Sequence, residues 1–272
     1  MSFRIISPLS PPAAWLGGKL LLSERIIALM EAIPHRTYVE PFLGMGGIFF
    51  RRSKIPNLEV INDINQDIIT LFRVLQHHPA EFVRSLRYCV NSRVLFQQLK
   101  SLSPDALTDI QRAARFYYLQ RNCFSGRMKN ASYGADKTRS RFNIRKLRIH
   151  LEKLHERLAG VVIEGLPYQS LFEHYDTPDT LFYCDPPYYD CETDYGPGVF
   201  GKNDFSILAE AMRHAKGTCL LSINDVPEIR EIFSGLFMRE VETTYTVGPQ
   251  PKRVCELLIS NQELPEPQPM LL

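Results

Sequence analysis

The stretch Leu181-Phe182-Tyr183-Cys184-Asp185-Pro186-Pro187-Tyr188 places an acid, two prolines and an aromatic ring directly after a short apolar run. The run from Leu181 to Cys184 predicts a buried strand, which ends where proline can no longer donate to a sheet. The prolines restrict the backbone, so the Asp185 carboxylate and the Pro186 carbonyl become neighbouring acceptors. Two acceptors beside the ring of Tyr188 suit a flat group with an amino edge, such as a nucleobase. Asp-Pro-Pro is also an ordinary strand ending, so this stretch alone leaves both interpretations open.

A second strand ending carries a glycine turn. Thr37 to Glu40 reads as a strand, and Pro41-Phe42-Leu43-Gly44-Met45-Gly46-Gly47 follows it. Such turns lie at the carboxyl ends of strands in doubly wound sheets, where a ligand can approach the backbone closely. The next predicted strand, 58–61, leads to Asp63, 19 positions after Gly44. An acid at about this distance is placed to bind a ribose, although the full dinucleotide fingerprint is absent and a turn without a ligand stays an alternative.

The remaining periodicity indicates a single sheet interrupted by helices. Strand signals are missing from 65 to 120, where successive helical segments predict an insertion between two halves of a sheet. Further strands are predicted at 161–164, 181–184 and 218–223, and the alternating pair 237–247 and 254–260 predicts an antiparallel hairpin. We therefore expect an α/β fold with a doubly wound sheet, a C-terminal hairpin and an inserted helical region. Helix starts are expected at Ser23, Asn65, Ser103, Asn143 and Asp204.

Composition restricts the class of protein. The chain has 272 residues, of which 44% are hydrophobic, and a net charge of +2. It is long enough to bury a large core. No apolar run approaches the roughly 18 residues of a membrane span, and no basic and apolar leader is evident, so the cytoplasm is the expected location. The six cysteines have no paired spacing and the seven histidines form no ligand pattern, so no metal is predicted.

The positive charge is concentrated in one segment. Between Arg112 and Lys153 there are twelve Lys and Arg residues but only two acids, which indicates a phosphate-binding surface. Aromatic and amide side chains alternate with these cations, so the segment could also enter a base stack and read base edges. The candidate DNA contacts are Arg121, Asn122, Phe124, Ser125, Arg127, Lys129, Arg139 and Arg141. The leucines of the helix predicted from 144 to 158 are expected to pack in the core.

Four motifs together resemble the Dam-like (D12 class) DNA adenine-N6 methyltransferases, in particular those of phages and prophages. They are Trp15-Leu16-Gly17-Gly18-Lys19, Pro41 to Gly46, Arg121-Asn122-Cys123-Phe124-Ser125-Gly126 and Asp185-Pro186-Pro187-Tyr188. The resemblance implies a methyltransferase (Rossmann-like) sheet that uses S-adenosyl-L-methionine. It implies a catalytic domain of residues 1–76 and 158–262, with a target-recognition domain at 77–157. The proline-rich tail, 263–272, is expected to be disordered.

The resemblance also implies which residues form the site. Asp185, Pro186, Pro187 and Tyr188 would hold the target adenine, and Asp63 would bind the cofactor ribose. The full cofactor set would be Trp15, Gly17, Gly18, Lys19, Phe42, Gly44, Gly46, Asp63, Tyr168 and Asp185. Two positions depart from the family pattern: Ala14 stands where a lysine is usual, and Pro167 stands where an aspartate is frequent. The first departure leaves the recognition sequence open, and the second concerns the residues around the adenine ring of the cofactor.

The expected function is methyl transfer from S-adenosylmethionine to N6 of a flipped adenine in double-stranded DNA, with S-adenosylhomocysteine as product. One alternative is an RNA or protein-amide methyltransferase of the same fold, but such relatives more often carry Asn at the position of Asp185. The other is a noncatalytic DNA-binding regulator, which the presence of Gly44, Asp63 and Asp185 disfavours. A restriction endonuclease is a candidate partner, and the chain is expected to act as a monomer.

Overall fold

The computed structural model describes residues 3–15, 19–123, 132–134, 141–192, 199–245 and 252–266. The strands are β1 (Arg4–Ile5), β2 (Thr37–Glu40), β3 (Lys54–Ile55), β4 (Leu58–Asn62), β5 (Val162–Glu164), β6 (Thr180–Cys184), β7 (Thr218–Asn224), β8 (Phe237–Tyr245) and β9 (Lys252–Ser260). The helices are α1 (Ser23–Ala32), α2 (Gln66–His77), α3 (Pro79–Leu86), α4 (Arg93–Ser101), α5 (Asp109–Asn122), α6 (Ile144–Leu158), α7 (Tyr168–Tyr175), α8 (Lys202–His214) and α9 (Pro227–Ile232). Short 3-10 turns lie at Phe49–Arg51 and Pro104–Ala106.

The central sheet has seven strands in the order β5-β4-β2-β6-β7-β9-β8. The first five are parallel, and β9 is antiparallel to both of its neighbours. The chain runs outward in one direction from β2 and in the other from β6, so a crevice forms where the carboxyl ends of these two strands diverge. The predicted α/β fold with a C-terminal antiparallel hairpin is confirmed. The small pair β1 and β3 was not predicted.

Helices cover both faces of the sheet, as a mainly parallel sheet requires. All five residues of β6 are buried, and the Phe172 ring of α7 stacks on Phe182 with centroids 4.4 Å apart. On the other face, α3 to α6 pack against or close to α2 and share one hydrophobic cluster with β2 and α1. The leucines of α6 are buried in that cluster, which confirms their predicted core role. The helices of 77–157 thus have no separate core among the described residues, and the domain boundaries stay a prediction.

Helix starts were predicted with mixed success. The side chains of Asn65 and Asn143 cap α2 and α6 as expected. By contrast, Ser23 is already helical, and α5 begins at Asp109 after a capping box formed by Thr108. Asp204 lies inside α8, where its carboxylate accepts a hydrogen bond from the Gly201 amide. Each of these segments contains several residues whose side chains could cap a helix. The backbone conformation decides which of them does so, and the sequence alone does not show this.

A buried charge cluster joins α6 to the sheet. Glu59 of β4 accepts hydrogen bonds from Arg52, at 2.8 Å, and from both terminal nitrogens of Arg157, at 2.6 and 2.8 Å. The two guanidinium groups also lie over aromatic rings, Arg52 over Tyr38 and Arg157 over Phe49. Because all three charged side chains are nearly inaccessible to solvent, removal of the acid would leave two buried cations without their carboxylate.

Candidate active site

The carboxyl ends of β2, β4 and β6 open into one cleft of about 1150 Å³. It brings together most of the predicted site residues that the structure describes. Those lining it are Trp15, Lys19, Phe42, Gly44, Asp63, Arg121, Tyr168, Asp185 and Pro187. Gly46, Pro186 and Tyr188 directly adjoin lining residues in the chain, whereas Gly17 and Gly18 lie outside the described residues.

The glycine turn after β2 is closed by the acid after β4. Gly44 and Gly46 have φ values of +54° and +71°, the left-handed region that glycine adopts easily. The Gly44 amide donates to Asp63 Oδ2 at 2.9 Å, and the Asn65 amide donates to Oδ1 at 2.9 Å. Burial raises the pKa of Asp63 to about 6, although these two amides oppose the shift. Each carboxylate oxygen can accept a further hydrogen bond, so Asp63 is suited to bind ribose hydroxyls.

Trp15 lies directly against the backbone of this turn. A Cβ at Gly44 would lie 2.8 Å from Trp15 Cδ1 and 2.8 Å from Nε1. The turn therefore provides a close approach between a flat indole and bare backbone beside Asp63. Position 44 therefore requires glycine, because an added Cβ would collide with the indole.

Three aromatic rings form a second wall of the cleft. The centroid of Phe42 lies 5.3 Å from Tyr168 and 5.8 Å from Phe200, and those two are 6.0 Å apart. The Tyr168 hydroxyl donates to the backbone carbonyl of Asp204 at 3.2 Å. Such an apolar wall can pack against a purine ring. Sequence reasoning missed Phe200 and Asp204, because they follow a segment without periodicity.

Polar side chains converge on Asp185 at the end of β6. The Lys19 ammonium lies 2.8 Å from Asp185 Oδ1 and 3.5 Å from Glu256 Oε2, and it donates to the Tyr188 hydroxyl at 2.5 Å. Ser222 Oγ donates to Asp185 Oδ1 at 3.2 Å. Burial raises the pKa of Asp185, and Lys19 opposes that rise by favouring the carboxylate. Lys19 was predicted as a cofactor residue, but its ammonium lies among the acceptors of the proposed base site.

Two buried acids of the cleft were not predicted. Glu40 ends β2, is 2% exposed, and accepts a hydrogen bond from the Tyr38 hydroxyl at 2.6 Å. Burial raises the pKa of its carboxyl to about 8, so it is mostly protonated at neutral pH. Glu256 lies in the buried part of β9 and is also 2% exposed. Both residues could have been found from the sequence, because each is an acid within or at the end of an otherwise apolar strand. Burial of a charged group there is costly unless the group has partners.

The predicted DNA contacts divide into three groups. Arg121 and Arg141 are half-buried and donate to backbone carbonyls at 3.0 to 3.3 Å, so they brace the chain around the end of α5. Asn122 is fully buried and donates to the Tyr118 carbonyl at 2.9 Å. Its predicted DNA contact does not fit this position. Phe124, Ser125, Arg127, Lys129 and Arg139 lie outside the described residues.

Among the described cations of the basic segment, the exposed ones lie on α6. Its outer face carries Arg145, Lys146, Arg148 and Lys153, all solvent-exposed. Arg148 also pairs with Glu152 of the same helix at 3.6 Å. Arg112 is half-buried and forms ion pairs with acids, including Asp67 at 2.5 Å. Within the described ranges, α6 therefore provides the clearest surface for a polyanion.

No group of three or more His, Cys, Asp or Glu residues suited to a metal occurs among the described residues. Nor does any helix in the same part of the chain have the length and apolar character to cross a membrane. All six cysteines lie among the described residues, and none of them forms a disulfide there.

Comparison with known proteins identifies the family of this chain. The family model for D12 class N6 adenine-specific DNA methyltransferase matches residues 15–247. The chain is 27% identical over 247 residues to Type II methyltransferase M.CviBI of Paramecium bursaria Chlorella virus NC1A, covering 87% of this chain and 91% of that protein. It is 25% identical over 268 residues to a DNA adenine methylase of Haemophilus influenzae, covering 89% of each. To the DNA N-6-adenine-methyltransferase of Escherichia phage P1 it is 27% identical over 242 residues, covering 80% of this chain and 30% of that protein. The resemblance first drawn from four short motifs is thus confirmed, and the chain belongs to the D12 class N6 adenine-specific DNA methyltransferase family.

Proposed function

We propose that this chain transfers a methyl group from S-adenosylmethionine to N6 of an adenine flipped out of double-stranded DNA. One observation carries the proposal: the Asp185 carboxylate opens into the same cleft as the Gly44 turn and the Asp63 carboxylate. A base acceptor and a nucleoside-binding turn are thereby adjacent. Methyl transfer requires this proximity, because the donor and acceptor atoms must meet in line.

The target nitrogen needs activation because its lone pair is delocalised into the adenine ring. Asp185 and the Pro186 carbonyl would accept hydrogen bonds from its two N–H groups. These hydrogen bonds favour tetrahedral geometry at the nitrogen and direct its lone pair at the methyl group. Tyr188 would stack on the flipped ring. Flipping itself costs a few kcal/mol and exposes an atom that the duplex hides. In this proposal the fixed acceptors supply the electrostatic part of the rate enhancement.

The cofactor would lie along the other half of the cleft. Asp63 would bind its ribose hydroxyls, and Trp15 with the Gly44 backbone would contact it at the turn. Phe42, Tyr168 and Phe200 would pack on its adenine ring. When bound, S-adenosylmethionine supplies a methyl group already activated by a sulfonium.

We infer that the duplex lies across the exposed cations of α6. These side chains can bind phosphates irrespective of sequence, whereas base reading would fall to other parts of 77–157. A cognate endonuclease and a monomeric state stay predictions of the sequence. The salt dependence of DNA binding would test the role of α6, because each phosphate contact that is lost lowers the slope of affinity against salt.

Sequencing of N6-methyladenine tests the function directly. The full chain is expressed in cells without adenine methylation, and wild type is compared with Asp185→Ala and Asp179→Ala. Asp179 is a suitable control because it precedes the opposite end of β6, its side chain forms an exposed ion pair with Arg36, and alanine keeps the backbone carbonyl that accepts from the Arg36 and Thr37 amides. We expect methylation at a defined sequence in wild type and in Asp179→Ala, and a loss of about hundredfold or more in Asp185→Ala.

Two results would contradict the proposal. One is the absence of N6-methyladenine in DNA from cells that contain folded wild-type protein. The other is equal methylation by wild type and Asp185→Ala. Transfer of labelled methyl to RNA but not to DNA would instead favour the RNA methyltransferase alternative.

A further inference from the structure

The Lys19 side chain occupies the space in which the target base would bind. Its ammonium lies 4.2 Å from the centroid of the Tyr188 ring, 2.5 Å from the Tyr188 hydroxyl and 2.8 Å from Asp185 Oδ1. A base stacked on Tyr188 with its amino group on Asp185 needs the same volume. The Lys19 ammonium therefore occupies the position of the adenine amino group, and it must move when an adenine binds.

Glu256 is the nearby acid that can receive this ammonium. Its Oε2 lies 3.5 Å from Lys19 Nζ, longer than an ordinary charge-assisted hydrogen bond of about 2.7 to 2.9 Å. A small movement of Nζ away from Asp185 would close that gap. Both Lys19 and Glu256 are almost fully buried, with side chains 3% and 2% exposed. A lysine that left Asp185 without another carboxylate would be a buried and uncompensated charge.

We propose that Glu256 is a positioning residue that takes the Lys19 ammonium from Asp185 as the target adenine binds. The inference rests on the proposed function, since it assigns Asp185 to the adenine amino group. In the free enzyme one ammonium is shared by two carboxylates. In the complex the adenine N–H donates to Asp185, and Lys19 pairs with Glu256. Neither carboxylate is left without a donor at any stage.

The exchange predicts a selective effect on the amino group of the base. Binding is measured for the full chain with S-adenosylhomocysteine, using duplexes that carry either adenine or unsubstituted purine at the methylated position. Purine lacks the amino group and cannot take the place of Lys19 on Asp185. For each variant, the Kd of the purine duplex is divided by the Kd of the adenine duplex. This ratio is then compared with the same ratio for wild type.

In Glu256→Gln the ammonium loses its second anionic partner and stays on Asp185. We expect the ratio to fall about tenfold, the factor that corresponds to one charge-assisted hydrogen bond. Glu256→Asp keeps the carboxylate and should retain most of the ratio. In a Lys19→Met background, Glu256→Gln should have no further effect, because Glu256 acts through Lys19.

Three outcomes would overturn the inference. The first is an unchanged ratio in Glu256→Gln. The second is an equal fall in the Lys19→Met background. The third is a fall that Glu256→Asp does not restore although its melting temperature matches wild type. Failure of the proposed function is distinguishable, because wild type would then leave the adenine duplex unmethylated in the presence of S-adenosylmethionine.

Discussion

Replacement of Gly44 by alanine should lower both the stability of the chain and its affinity for the cofactor. At a φ of +54°, a residue with a Cβ costs about 1–2 kcal/mol. The new Cβ would lie 2.8 Å from two Trp15 indole atoms, and overpacking of this kind costs about 1–3 kcal/mol. Together these contributions predict a loss of roughly 2–5 kcal/mol in the free energy of unfolding, measured by urea denaturation. Because the indole must shift at the cofactor turn, calorimetry should show at least a roughly tenfold weaker affinity for S-adenosylmethionine.

Gly160→Ala is the matched control for this substitution. Gly160 has a φ of +80°, but a Cβ there would meet no atom within 4 Å. It should therefore cost only the backbone contribution and leave cofactor affinity unchanged. In a double-mutant cycle, Trp15→Ala and Gly44→Ala should be less than additive, because removal of the indole relieves the clash that the new Cβ creates. Equal stability losses in the two glycine variants, with cofactor affinity retained in both, would refute the reasoning.

Three further substitutions have definite expected outcomes. Glu59→Ala should lower the free energy of unfolding by about 3–5 kcal/mol in urea, because Arg52 and Arg157 lose their shared carboxylate; a loss no larger than that of an exposed acid would contradict this. Burial raises the pKa of Glu40 from 4.5 to about 8, so the native chain keeps a proton that the unfolded chain releases. Wild type should therefore lose stability relative to Glu40→Gln as the pH rises from 5 to 8, and parallel stability curves for the two proteins would show that the carboxyl titrates normally. Phe200→Ala should weaken cofactor binding roughly tenfold by calorimetry, and unchanged affinity would remove Phe200 from the cofactor wall.

The strand endings that carry the site could be predicted from sequence because their signals are local. Gly44 follows a short β-forming run, and Asp185 follows an apolar one before two prolines. Parallel strands place their carboxyl ends at one edge of a sheet, so identifying the strands was enough to bring Gly44, Asp63 and Asp185 together. The hairpin of β8 and β9 was predictable for a similar reason, since each strand alternates over several residues.

The remaining site residues depend on contacts between distant parts of the chain. Lys19 meets Tyr188 across 169 positions, and no local pattern indicates that an N-terminal lysine points into a base site. Glu256 lies in the cleft only because β9 inserts between β7 and β8. Asn122 is a different case, since it lies four positions after the buried Tyr118 on the same helix face. Helical spacing could have indicated that its amide faces inward.

The packing of α6 would link the proposed DNA contact to the proposed cofactor site. Its outer face carries the exposed cations, while Arg157 on its inner face binds Glu59 of β4, the strand that leads to Asp63. Leu154 and Leu158 add apolar packing on the same side. A phosphate bound on the outer face is therefore held at a nearly fixed distance from the cofactor end of the cleft. We infer that the adenine reaches Asp185 by movement of the base itself, at the few kcal/mol that flipping costs, and not by closure of one domain onto another.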